Sequence, residues 1–338
     1  MAFVTTAQRY DVLCVGDVST DEFIRLPEGS ARRRDGEDGA YLELPLGGKV
    51  PYERGTTVAA GGSAANGALA LARLGLRVGL ATFVAHDAVG LDLLSALRAE
   101  HVDTHLVRVD EQVHTNRNFV LSFHGERTIL VRHEAFDYHW PHLRPSEVPS
   151  WIFLTSLGPD ALEYQDAIAE WLDAVPEVRL ALYPGRYQLE AGSERLQRLY
   201  RRAEVLVCPA SGARVLAGGV TSDPASLLEP LLGLGPRTVV VADGRGGAVA
   251  GDGTDRFVVE PFPDTSAPLD RTGADDTFAA TVVAGLVHGL ALPVALAWPT
   301  VNFMSVSHQL GAQAGLLRLD DLEAQLSEAG AGVAARRF

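Results

Sequence analysis

Short, continuously apolar runs recur along the chain, each bounded by a turn and followed by a helical pattern. They lie in segments 11–18, 77–85, 150–156, 178–184, 203–209 and 237–243, with cores such as Val12-Leu13-Cys14-Val15 and Val239-Val240-Val241-Ala242. A strand that alternates apolar and polar residues is covered on one face, whereas a strand without alternation is covered on both. Segment 90–102 supplies a helical partner, with Leu93, Leu94, Leu97 and Val102 on one side. Strands and helices in this order predict an α/β chain with a doubly wound, mostly parallel sheet and helices on both faces.

Two stretches break the rhythm. Residues 22–58 show short alternating runs and turn signals. Residues 113–133 read as two alternating strands around His124-Gly125-Glu126. Both stretches look antiparallel. Together they predict a small β-sheet lid on a single domain spanning 1–338, because long insertions in compact domains are usually functional. The competing reading is a pair of edge hairpins on the main sheet. Arg32-Arg33-Arg34, followed by Asp35, Glu37 and Asp38, reads as a solvated loop, and the closing AGAGVAARRF as a frayed tail.

The formal net charge of −14 argues against nucleic acid or an anionic membrane as partner, since both require basic patches. Cys14 and Cys208 both sit in apolar runs and lack metal-ligand spacing. The first ten residues lack a signal-peptide layout, and no apolar run is long enough to cross a bilayer. A cytoplasmic protein is expected. The chain contains no G-x-x-x-x-G-K-[ST], nucleophile elbow or H-E-x-x-H motif.

Chemistry concentrates at four places. DRTGADDTF (270–278) puts Gly273, Ala274, Asp275 and Asp276 at the start of an apolar helix carrying Phe278, Val282, Val283, Leu286 and Leu290. Backbone N–H groups at a helix start are unpaired and bind anions, and an aspartate in the same turn could reach a hydroxyl beside a bound phosphate. The plain alternative is charge complementing the helix dipole. Gly61-Gly62-Ser63-Ala64-Ala65-Asn66 is a Gly-rich turn opening a helix, where the Asn66 amide could read hydroxyl groups; close helix–sheet packing explains it nearly as well. Asp17 and Asp21 follow the first strand, at the strand end where ligands bind in such sheets; Asp17 could instead cap a turn. Asp243-Gly244 and Gly246-Gly247 form either a nucleotide-binding turn or a plain hairpin, and the local pattern alone favours the hairpin.

The order and spacing of VGDVSTD, GGSAANGALALARLG, HDAVGLDLL, HGERTILV, VVVADGRGG and DRTGADDTFAATVVAGL resemble the ribokinase or PfkB family of carbohydrate and nucleoside kinases, from about residue 10 to about 325. The resemblance implies a ribokinase-like fold with a β-lid, and Asp276 as the base that takes the acceptor's proton. It implies the amides of Gly273, Ala274 and Asp275 as the anion hole, and Asp17, Gly61, Gly62 and Asn66 as holders of acceptor hydroxyls. Asp21 joins them on the evidence of its place after the first strand. Asp243, Gly244 and Gly247 match the nucleotide loop. The implied cofactors are ATP and Mg²⁺, with a monovalent cation as a further candidate. Positioning and charge stabilisation are what phosphoryl transfer requires.

The chain departs from the family pattern at Arg271 (usually Thr), at Asp275 (usually Gly), at Ala210 and Ala213 (usually Asn-x-x-Glu) and at Tyr183 (often Asn or Asp). No metal ligand is assigned. Asp275 either takes over metal handling from Ala210 and Ala213 or opposes the γ-phosphate, and the intact motif around it favours metal handling. The leading expectation is an ATP-dependent kinase for an alcohol group of a sugar or sugar-like molecule. The alternatives are a nucleoside kinase with aromatic side chains such as Tyr41, Tyr52 or Phe119 against a base, and a catalytically weak sugar- or nucleotide-binding sensor. An exposed lid edge could pair with a second copy in a homodimer.

Overall fold

The computed structural model describes residues 9–36, 39–219, 221, 223–264 and 266–338. Its main sheet has nine strands among the described residues. Six run parallel in the spatial order Val78–Ala81, Val12–Val15, Trp151–Leu154, Arg179–Leu182, Ala203–Pro209 and Thr238–Ala242. Ala248–Gly251, Arg256–Val259 and Arg336–Arg337 extend it antiparallel. The apolar runs behave as the absence of alternation requires. Val12 and Cys14 enter one core and Leu13 and Val15 the other, all fully buried. Helices Ser63–Arg73, Ala88–Ala99 and Ala274–Val287 cover the first face and Leu162–Ala174 the second. The chain leaves Val12–Val15 toward one sheet edge and later returns on its other side at Trp151–Leu154. The order therefore reverses between these two strands, and their carboxyl ends form the crevice where such sheets take ligands.

The helix Ala274–Val287 is apolar around its whole circumference, and Thr277 through Gly285 are buried. A helix of that kind belongs inside the protein. It packs on Ser63–Arg73 and on Ala297–Ser307, so its amino end is fixed over the crevice.

A separate four-stranded sheet has the order Glu126–Leu130, Arg117–Phe123, Ser19–Arg25, Arg54–Gly61. The two predicted insertions supply it, so it is not an extension of the main sheet. The outer pairs are antiparallel as expected, but the central pair, Ser19–Arg25 with Arg117–Phe123, is parallel. Both strands leave the main domain outward from the crevice, so they must run the same way.

Three local expectations are corrected. Arg32–Gly36 is an exposed strand paired with Gly39–Glu43, not a loop; ion pairs Arg33–Asp35 (3.0 Å) and Arg34–Glu43 (2.5 Å) offset its charge, while Glu37 and Asp38 lie outside the described residues. The frayed tail is docked: Arg336–Arg337 joins the sheet edge, with Arg336 on Glu260 and Arg337 on Asp255. Segment 77–85 divides at Thr82, and Phe83–Ala85 leaves the main sheet to pair with Arg108–Asp110. Among the described residues, no helix is long and apolar enough to cross a membrane.

Close helix–sheet contact depends on Gly67. A Cβ there would lie 2.6 Å from the Phe153 ring, inside any normal contact distance. Gly67→Ala is expected to destabilise the protein by about 1–2 kcal/mol despite the better helix propensity of alanine. Urea denaturation checks it, and a loss below about 0.5 kcal/mol would mean that the ring simply swings aside.

Candidate active site

Four sequence-distant segments meet at the crevice. The amino end of Ala274–Val287 is capped by Gly273 in the left-handed region, with φ 70°. No other residue fits there, since a Cβ would stand 2.1 Å from that of Ala312. The amides of Gly273, Asp275 and Asp276 have no backbone acceptor among the described residues, as an anion site needs. The Ala274 amide differs from expectation. It donates to the Arg271 carbonyl at 3.2 Å, because the chain turns tightly into the helix.

Asp276 points toward the second helix start. Its Oδ2 accepts from Asn66 Nδ2 at 2.8 Å. Asn66 is held in turn, its Oδ1 accepting from Gln313 Nε2 at 3.1 Å, while the same Nε2 also donates to the Ala60 carbonyl. Protein surrounds Asp276, yet its side chain keeps a face that water can reach, as at the floor of a cleft. Burial pushes its pKa up to about 6; the bond from Asn66 and the influence of the Ser63 and Tyr183 hydroxyls oppose the rise, and the charge of Asp275 adds to it.

For Asp275, burial raises the pKa, the charges of Arg127 and Arg271 oppose that rise, and the charge of Asp243 adds to it. The 243–247 turn is a hairpin between Thr238–Ala242 and Ala248–Gly251. Asp243 accepts from the amides of Arg245 (2.7 Å) and Gly247 (3.0 Å), and Gly244, which follows it, has φ 74°.

On the side facing the small sheet, Asp21 Oδ1 accepts from Ser19 Oγ and Asn118 Nδ2, each at 2.9 Å, while Oδ2 takes no donor among the described residues. Gly61 lies against that carboxylate, and a Cβ on it would sit 2.5 Å from Asp21 Oδ2. Gly62 caps Ser63–Arg73 beside the Asp17 carbonyl. Asp17 is not free in this way. Tyr138 Oη donates to both of its oxygens (2.9 and 3.0 Å) and the Gly158 amide donates to Oδ2 (2.6 Å), joining the ends of the two strands that flank the crevice. Burial pushes its pKa up to about 6.

The small sheet reaches the same place. Arg127 Nη1 donates to Thr272 Oγ1 at 2.8 Å and pairs with Asp270 at 3.4 Å. A cavity of about 830 Å³ runs between the inner face of that sheet, at Phe23, Thr56 and Val120, and residues 268–271. Sequence reasoning did not single out Ser63, Asn118, Gln313 or Tyr138. Ser63 lies inside the Gly-rich motif and Asn118 inside the 113–133 stretch, but only the folded chain shows what their side chains touch.

Known proteins share the fold. A family model described as pfkB family carbohydrate kinase matches residues 38–300. A fructokinase from Klebsiella pneumoniae is 28% identical over 290 residues, covering 79% of this chain and 91% of its own. The structure of Arabidopsis thaliana ribokinase complexed with ribose and ATP superposes with a TM-score of 0.75 at 18% identity, over 94% of this chain and 99% of that one. A putative ribokinase II from E. coli in complex with ATP and Mg²⁺ gives 0.71 at 17%, again over 94% and 99%.

The raised pKa of Asp276 carries a stability consequence. Its proton is bound more tightly in the folded state, so that contribution is complete below about pH 4 and is lost as pH rises through about 6. Asp276→Asn removes the group. The variant is therefore expected to gain on the parent between about pH 4 and about pH 8 by about 1–2 kcal/mol, discounted for water access to the cleft. Denaturant melts at both pH values measure it; a parent–variant difference independent of pH would contradict the shift.

Proposed function

The chain belongs to the pfkB family of carbohydrate kinases, and on that premise we propose that it transfers the γ-phosphoryl group of ATP to a hydroxyl of a sugar or sugar-like acceptor, with Asp276 as the base. One observation carries this reading: a carboxylate pinned by Asn66 lies in the first turn of a buried helix whose neighbouring amides are unpaired. In this mechanism the acceptor lies between the small sheet and the crevice, with hydroxyls on Asp21 and Asn66 and beside Gly61 and Gly62. Asp276 receives the proton as the hydroxyl oxygen attacks phosphorus. The amides of Gly273 and Asp275 stabilise charge on the moving phosphoryl group, with the nucleotide along Asp243, Gly244 and Gly247. Asp17 acts from behind, fixing the crevice through Tyr138 and Gly158. The small sheet serves as a lid that excludes water.

Mg²⁺ is held by one or two carboxylates together with phosphate oxygens, and when bound it neutralises phosphate charge. Among the described residues, no group of three or more metal-binding side chains is present. Ala210 and Ala213 offer no oxygen. Asp275, free of hydrogen-bond donors among the described residues and near enough to Asp243 to feel its charge, is the side chain that would hold the ion. A monovalent cation is a further cofactor in this reading, tested by comparing activity in potassium and choline salts. The exposed edge strand Glu126–Leu130 leaves a place for a second copy, which sedimentation would reveal. Buried, unpaired Cys14 and Cys208 suit a reducing cytoplasm.

The aromatic candidates for a nucleoside base do not support that alternative. Phe119 projects from the sheet face opposite Asn118, beside Arg117, and Tyr41 lies over Arg34 on the outer hairpin. A panel of pentoses, hexoses and nucleosides with ATP, read as ADP formed, tests the acceptor class. Phosphorylation of nucleosides alone would overturn the sugar reading, and binding without turnover of any acceptor would favour the sensor.

Two substitutions test the roles. Asp276→Asn should lower kcat at least ~100-fold and leave ATP binding largely intact; full activity in the folded variant would remove the base assignment. Asp275→Gly should require more Mg²⁺ for half-maximal rate and turn over more slowly. A lower Mg²⁺ requirement with faster turnover would show that Asp275 obstructs the γ-phosphate instead.

A further inference from the structure

We propose that the cavity under the small sheet takes an acceptor with an anionic group, a phosphate or a carboxylate, at the end remote from the hydroxyl that is phosphorylated, and that Arg54 and Arg271 read that group. This rests on the reading of the crevice as the acceptor's place and goes beyond it by naming the acceptor's charge. The register of the small sheet sorts its inner face into three rows, running outward from the crevice. The first carries Asp21 beside Asn118, with Val58 on the other flank. The second is mostly apolar, with Phe23 between Thr56 and Val120, and Ile129 next to Val120. The third is basic: Arg54, Arg25, Ser122 and Arg127 stand side by side across the four strands. Residues two apart in a strand share a face, so the second and third rows look onto the same cavity of about 830 Å³. A site of that size holds more than a monosaccharide.

Like charges directly opposite one another on a sheet cost stability, and Arg25 and Arg54 are such a pair. Glu53 pairs with Arg25 at 3.0 Å, and Asp270 with Arg127 at 3.4 Å. Asp270 also accepts from the amides of Thr272 and Gly311. Glu126 adjoins Arg127 and so belongs to the opposite face, and Glu28 lies in the turn beyond the strand. Arg54 and Arg271 remain, exposed on facing walls of the cavity, and neither has an ion pair or a side-chain hydrogen bond among the described residues. The charge of Arg271 tempers Asp275 from beyond contact distance, which leaves its N–H donors without a protein acceptor. In a chain of formal net charge −14, two guanidinium groups across one cavity with no carboxylate in contact make a place for an anion. The planar fork of arginine fits phosphate and carboxylate alike. At about 3.3 Å per residue the first and third rows are about 13 Å apart, and long side chains lean back over part of that span. Arg127 does so, its Nη1 reaching Thr272 Oγ1 at 2.8 Å beside the helix cap Gly273. A neutral monosaccharide would meet the first two rows and leave Arg54 and Arg271 without a partner; an anionic substituent would supply one.

Calorimetric titration of the full chain, with ADP present to fill the nucleotide's place, compares D-ribose with D-ribose 5-phosphate, D-fructose with D-fructose 6-phosphate, and D-glucitol with D-gluconate. In at least one pair the anionic member should bind about 10-fold more tightly or better, the scale of a charge-assisted hydrogen bond. The pair that gains identifies the anion as phosphate or carboxylate. Arg54→Gln and Arg271→Gln should each cut that preference about 10-fold. Arg54 lies on the small sheet, across the cavity from the helix start, so its variant separates this place from the anion hole of the transferring phosphoryl group. No preference in any pair, or a preference that survives Arg54→Gln, overturns the proposal. If an anionic sugar binds through Arg54 but no acceptor drives ADP formation from ATP, the kinase reading falls and the anion's place stands. If neutral sugars are phosphorylated and their anionic partners bind no more tightly, the kinase reading stands and this proposal falls.

Discussion

The bond from Asn66 to Asp276 closes the site. It spans 210 positions in sequence and 2.8 Å in space. It can form only if two helix starts converge, and each is brought there by apolar contact. Ser63–Arg73 is buried from Ala64 through Leu71, and Ala274–Val287 is apolar on every side. Gln313 fixes the Asn66 amide so that its nitrogen faces the carboxylate. Packing supplies the free energy and the hydrogen bonds convert it into direction. That division is general, since burial is non-directional and hydrogen bonds contribute modestly but impose geometry.

Charge is arranged around this junction in opposition. Asp275 and Asp276 occupy the same helical turn; Asp276 accepts from Asn66, while the charges of Arg127 and Arg271 oppose the pKa rise that burial gives Asp275. Arg271 and Asp275 are both departures from the family pattern, and their charges offset each other at the site. A carboxylate with two guanidinium groups in reach costs far less to keep than an isolated buried one. The unmatched charge is that of Asp276, which burial penalises and function requires.

The small sheet is joined to this centre by slight contacts. Arg127 is 41% exposed where it meets Asp270, and exposed pairs of that kind contribute ~0–1 kcal/mol. Its weight is carried instead by the Phe23 and Val58 contacts near Gly311 and by its own ladders.

The sequence by itself determined the layers, the helix starts and the residues carrying charge. Short non-alternating apolar runs bounded by turns fit strands covered on both faces, and glycines before small-residue helices fit close approaches. These are local signals, written in neighbouring residues. It also located the insertions, although not the parallel pairing of their central strands, which depends on both leaving the domain from the same end. Tertiary structure alone decided partners. Asp17 and Asp21 look equivalent in VGDVSTD, yet one is consumed by Tyr138 and Gly158 while the other keeps an open oxygen. Ala274 was read as a free donor beside its neighbours, but a turn closed on the Arg271 carbonyl. Which side chains meet depends on how distant segments are superposed, and one-dimensional spacing holds no record of contacts between residues far apart in the chain.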